Sequence, residues 1–118
     1  MSSYTGYEAS TEAVPMFSVY NQMYLRNKCN FRDYQNAAVN GGAAGNTVSN
    51  AEALRRDQDN DHPMILFLEL IGNDVCGKHT DPSQMTSKAD FMTKTYKILQ
   101  EMDAKLPKGS HVFIFGLA

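Results

Sequence analysis

A chain of 118 residues is long enough for one domain with a modest core. The net charge of −2 and the lack of a basic cluster exclude nucleic acid as an expected partner. Nor does any apolar run approach the roughly 20 residues that span a bilayer, so no transmembrane segment is expected.

The first 24 residues mix Ser, Thr, Gly and Glu with scattered aromatics and contain no basic segment leading into an apolar one, so no signal peptide is read there. Phe17, Tyr20, Met23 and Tyr24 fall at helical spacing, which predicts a short helix from about Pro15 to Leu25. Within Cys29 to Asn40, the second half, with Tyr34 and Ala37 to Val39, is expected to form a short strand. Gly41-Gly42-Ala43-Ala44-Gly45-Asn46-Thr47 then reads as a small-residue loop that lets backbone approach a ligand closely. Ser49-Asn50-Ala51-Glu52 has the form of a capping box, so a helix is predicted from there through Arg56. Asp57 to Asp61 is a solvated acidic exit, and Pro63 returns the chain to an extended path.

Met64 to Ile71 is an almost unbroken apolar run ended by Gly72-Asn73-Asp74. Its lack of alternation predicts a strand buried on both faces of a mainly parallel sheet. Gly77 to Pro82 is expected to be loop, and Ser87-Lys88-Ala89-Asp90 is a second capping box. Phe91, Thr95, Ile98, Leu99, Met102 and Leu106 form an apolar stripe, with Lys94, Lys97 and Glu101 assigned to the wet face. Pro107 to Ser110 ends that helix, and His111 to Leu117 reads as another buried strand.

The expected order, strand–helix–strand–helix–strand, makes an α/β fold with a parallel sheet covered by helices. Because the sequence stops just after a strand, the chain is expected to be the middle of a larger domain. In such sheets ligands bind beyond the carboxyl ends of the strands, where the loops at Asn40–Thr47 and Gly72–Cys76 would both emerge. A backbone N–H from one and a carboxamide from the other could donate to an oxygen that becomes negative during ester hydrolysis. On their own, Gly-Asn-Asp is equally compatible with a plain turn, and a Gly-rich loop between strand and helix with a phosphate cradle.

Asn40-Gly41-Gly42-Ala43-Ala44-Gly45-Asn46-Thr47 resembles the second sequence block of the SGNH (GDSL-type) hydrolases, and Ile71-Gly72-Asn73-Asp74 resembles their third, Gly-x-Asn-Asp. The likeness is greater for a branch of that family that releases secondary fatty acyl chains from lipopolysaccharide. It extends there to Arg26-Asn27-Lys28-Cys29-Asn30-Phe31-Arg32-Asp33-Tyr34-Gln35-Asn36, to Val75-Cys76 and to Leu106–Val112. The resemblance implies a three-layer α/β/α fold of flavodoxin-like type and a serine esterase acting on an acylated lipid or glycolipid in a secreted or lysosomal setting. It also implies that the Gly45 N–H and the Asn73 side chain are the oxyanion donors, with Asp74 shaping the turn. Ile71 stands where the family has its first Gly of the third block.

The family's Gly-Asp-Ser and Asp-x-x-His blocks do not occur within the sequence. The chain is therefore expected to be inactive alone and to need the missing parts of its own catalytic domain as partners. Ser49 reads as a cap and Ser110 as a loop residue, and His62 and His111 both precede strands. His79 lies on the correct side without a nucleophile beside it. Cys29 and Cys76 are too few for a disulfide framework or a zinc site. They are expected to lie roughly 20 Å apart, each free or paired outside this stretch. No cofactor or metal is expected in this chain. Two alternatives remain beside the esterase: a non-catalytic lipid- or carbohydrate-binding fragment, and a phosphate- or nucleotide-binding α/β module.

Overall fold

The structure is a computed structural model that describes residues 17–76 and 81–116. Its contacts divide the chain into two units, with the boundary between Ala38 and Val39.

The described part of the first unit is built on helix α1, Val19–Arg26, whose first turn is capped by Ser18 through a 3.1 Å bond from the Asn21 N–H. The helix therefore starts later than the apolar spacing suggests, because Ser18 can accept the orphan donor of the first turn. Pro15 lies outside the described residues. Tyr20 is buried, and its hydroxyl accepts the Arg32 N–H at 2.8 Å. The Tyr20 ring lies 4.7 Å from that of Tyr34, and a 3-10 turn over Lys28–Asn30 carries the chain between them. The strand expected over Tyr34 to Val39 does not form. There the Asn36 side chain accepts the Ala38 N–H at 3.0 Å, and a turn brings the Gly42 N–H to the Val39 carbonyl. Such local bonds give the backbone an alternative to a ladder.

The second unit holds helix α2 (Ala44–Glu52), strand β1 (Ile65–Glu69), the single-turn helix α3 (Gly72–Val75), helix α4 (Lys88–Asp103) and strand β2 (His111–Phe115). β1 and β2 pair in parallel, Ile65 opposite His111 and Glu69 opposite Phe115. The class is thus α/β, as expected, but the sheet of the described residues has two strands, not three.

The core lies on one face of that sheet. Leu66, Leu68 and Leu70 meet Ala51 of α2 and Ile98 and Met102 of α4, with Leu106 closing the end. The stripe on α4 packs as predicted, and its start is the expected Ser87 cap, which accepts the Asp90 N–H at 3.1 Å. β1, however, is buried on one face only. Leu66 and Leu68 are buried, whereas Ile65 and Glu69 are exposed. β2 is likewise exposed at His111, Phe113 and Ile114, against the expectation of a buried strand. α2 and α4 pack into the same core, so the opposite face of the sheet carries Ile65, Phe67, Phe113 and Phe115.

α2 begins five residues before the Ser49 capping box predicted for it. Asn46 accepts the Ala43 N–H at 3.4 Å, and Asp74 accepts the Ala44 N–H, so the donors of the cap and of the first helical residue are met without Ser49. At its other end the Lys105 ammonium donates to the Ala51 and Glu52 carbonyls, a cation at the negative end of the helix. The Asp57–Asp61 segment folds on itself. Hydrogen bonds from the Asn60 side chain and from the Asp59 and Asn60 N–H groups hold the Asp57 carboxyl below its usual range. Gln58 ties the segment to the Asp103 and Leu106 carbonyls. The expected loop before α4 contains a 3-10 turn at Pro82–Gln84, capped by Asp81.

Candidate active site

The loop of residues 40–43 does not follow a strand, yet it reaches the carboxyl end of β1. Two adjacent residues of α3 bring it there. The Asn73 carboxamide donates to the Gly42 carbonyl at 3.0 Å. Asp74 accepts the Ala44 N–H with both carboxylate oxygens, at 3.2 and 3.1 Å. α3 can form immediately after β1 because Ile71 takes a positive φ of 82° and its carbonyl then accepts the Asp74 and Val75 N–H groups.

Gly45 is the second residue of α2, where the backbone N–H has no partner in its own helix. Among the described residues no acceptor meets it. Asn73 is exposed and uses one of its two amide hydrogens on Gly42, which leaves the second to donate. The two residues named from sequence are therefore brought to one loop cluster. It offers a peptide N–H and a carboxamide N–H, both uncharged donors of the kind that stabilise an oxyanion. The helix axis adds a partial positive charge at the same end of α2.

Asp74 is 2% exposed. Thr86 completes its shell: the hydroxyl donates to Oδ1 at 2.8 Å and the Thr86 N–H to the Asp74 carbonyl at 3.0 Å. Sequence reasoning gave Asp74 only its own turn and missed Thr86. The signal available was a carboxylate directly after Asn73, which says nothing about partners 12 residues on and 30 residues back. Lys94, assigned to the wet face of α4, is half-buried instead. Its Nζ would stand 3.5 Å from a Cβ placed on Gly45.

The remaining candidates lie elsewhere. Ser49 is within α2 and has no capping role. Ser110 donates to the Pro107 carbonyl at 2.7 Å and accepts the Met64 N–H at 3.0 Å, so it staples the starts of β1 and β2 together. His62 and His111 are exposed at the amino ends of the same strands, as expected. His79 lies outside the described residues. Cys29 and Cys76 are both free and exposed. A groove of about 690 Å³ lined by Gln58, Met102, Leu106, Pro107 and Ser110 also sits at the amino end and contains neither Gly45 nor Asn73. Among the described residues, no group of three His, Cys, Asp or Glu side chains could hold a metal ion, and no helix is long and apolar enough to cross a membrane.

No family model matches the chain. Individual proteins do. It is 42% identical over 120 residues to acyloxyacyl hydrolase of Oryctolagus cuniculus, a match that covers 100% of the chain and 21% of the relative. The chain stands close to acyloxyacyl hydrolase. The Mus musculus and Homo sapiens enzymes of that name are each 37% identical to it over 118 residues, covering 99% of the chain. It spans about a fifth of the length of these relatives, 21% and 20% for the last two. Because the rabbit match covers 100% of the chain, the 40–45 loop, α3 and Thr86 all fall inside the stretch shared with an acyloxyacyl hydrolase.

Proposed function

We propose that this chain is the central part of the catalytic domain of a serine ester hydrolase of the SGNH class. In this reading the complete protein removes ester-linked secondary fatty acyl chains from lipopolysaccharide or a related acylated glycolipid. The domain is a three-layer α/β/α fold, and the protein works in a secreted or lysosomal setting. The nucleophile and its base come from parts of the domain outside this chain, and general triad chemistry supplies the attack and proton transfer. The residues here hold the carbonyl oxygen as it becomes negative: the Gly45 N–H from the backbone and the free amide hydrogen of Asn73.

The observation that carries this reading is the meeting of Asn73 with the 42–45 segment beyond the end of β1. Similarity to acyloxyacyl hydrolases along the whole chain supports it. The competing reading is a phosphate cradle, in which a dianion would rest at the start of α2 beside the Asp74 carboxylate, a larger repulsion than the single transient charge of an oxyanion meets.

The test is Asn73→Ala in the complete protein. Loss of one oxyanion donor should lower kcat about 10²–10³-fold. KM should change little, because the bond strengthens chiefly in the transition state. Asn73→Asp should be at least as damaging, since a carboxylate repels the oxyanion. With folding checked by circular dichroism, an unchanged kcat per folded molecule in Asn73→Ala overturns the assignment.

A further inference from the structure

We propose that Asp74, held by Thr86, is the positioning residue that sets the two oxyanion donors against each other; the proposal rests on the esterase reading above. Asp74 is buried and touches no open surface from which it could act on a substrate. What it touches is backbone. Its carboxylate bridges to the Ala44 N–H through both oxygens, and Ala44 is the residue whose carbonyl is joined to the Gly45 nitrogen. On the other side of the bridge, Asp74 directly follows Asn73 in α3. Each donor is therefore one residue from an end of the same clamp.

Thr86 fixes the clamp from behind. Its hydroxyl donates to Oδ1 and its N–H to the Asp74 carbonyl, so side chain and backbone of Asp74 are held together, just ahead of α4. Three segments far apart in sequence converge on this carboxylate: the start of α2, the single turn of α3 and the approach to α4. A single-turn helix has too few internal hydrogen bonds to hold an orientation by itself. Without the clamp, the Asn73–Gly42 bond is what remains, among the described residues, of the hydrogen bonds joining α3 to the start of α2 and its loop. A carboxylate suits the task because it accepts from two donors at once without needing any proton of its own. Its negative charge would oppose a nearby oxyanion, so its contribution is placement and not electrostatic attraction.

The experiment compares Asp74→Ala, Asp74→Asn and Thr86→Val in the complete protein. Kinetics on an acylated lipid substrate is combined with hydrogen exchange of the peptide covering residues 40–50. Asp74→Ala should lower kcat about 10²-fold with little change in KM, the scale expected when a reacting group is misplaced by about 1 Å. Exchange in the 40–50 peptide should rise with it. Asp74→Asn keeps one acceptor for the Ala44 N–H and an amide that can meet a rotated Thr86 hydroxyl. It should recover kcat to within about tenfold of wild type and restore protection. Thr86→Val should fall between them. A residue that only stabilises the fold would reduce the yield of folded protein and leave kcat per folded molecule unchanged; that result in Asp74→Ala, with the wild type active, overturns the proposal. Unchanged exchange in residues 40–50 overturns it as well. A wild-type protein that hydrolyses no acyl ester, in contrast, brings down the esterase reading itself.

Discussion

Ile71 carries a backbone φ of 82°, a region that β-branched side chains rarely enter. The strain is placed where β1 must turn at once into α3, so that Asn73 and Asp74 face the 42–44 segment. The glycine beside it is not used for this purpose: Gly72 has an ordinary φ and open space where a Cβ would stand. Glycine would take this backbone conformation without steric cost. Ile71→Gly should relieve about 1–3 kcal/mol of strain. Against that stand about 0.5–1 kcal/mol of backbone entropy and about 1 kcal/mol of lost burial for a half-exposed side chain. Denaturant unfolding should therefore place Ile71→Gly within about 1 kcal/mol of wild type, whereas Ile98→Ala, in the core, should cost about 2–5 kcal/mol. Equal losses for the two would remove the strain argument.

At the scale of elements, α4 brings two buried residues to the core and, among the described residues, one buried hydroxyl without a partner. Ile98 and Met102 are buried, but Thr95, on the same stripe, has its hydroxyl buried with no partner among the described residues. Burying such a group unpaired costs about 1–3 kcal/mol. Thr95→Val keeps the shape and removes the hydroxyl, so it should raise stability by about 1 kcal/mol, read as a higher denaturation midpoint with the same slope. A lower midpoint would mean that the hydroxyl has an acceptor in the folded protein. α2 is the opposite case. Its sequence is a weak helix former with Gly, Asn, Thr, Val and Ser within it. It is held by contacts at its ends, Asp74 at the first turn and Lys105 at the last.

For the second unit as a whole, the sheet is the exposed part. Phe113 is 49% and Ile114 56% exposed, and two paired strands leave an open edge on each side among the described residues. Open edges beside exposed aromatics favour association. The isolated 118-residue chain should form concentration-dependent oligomers in sedimentation and unfold over a broad range. It should not turn over a short-chain p-nitrophenyl ester, since no nucleophile–base pair is brought together in the described residues. A monomer with a sharp, reversible transition, or turnover abolished by Ser49→Ala or Ser110→Ala, would contradict these expectations.

Local pattern was enough for the existence of β1, for the Ser87 cap and stripe of α4 and for the parallel α/β class. Each depends on residues within one turn, one strand or one short motif. Where pattern and tertiary structure part, the deciding partner is distant in sequence. The 34–39 segment has strand-like residues but forms no ladder among the described residues, and the Asn36 side chain takes the Ala38 N–H instead. α2 starts at Ala44 because a carboxylate from α3 meets its first turn, which outweighs the local box at Ser49. The apolar run of β1 reads as buried on both faces, but α2 and α4 pack on only one, so Ile65 stays exposed beside the buried Leu66. The clamp of Asp74 on Ala44 and Thr86 belongs to the same class: a buried carboxylate must find donors, and only the folded chain determines which backbone supplies them.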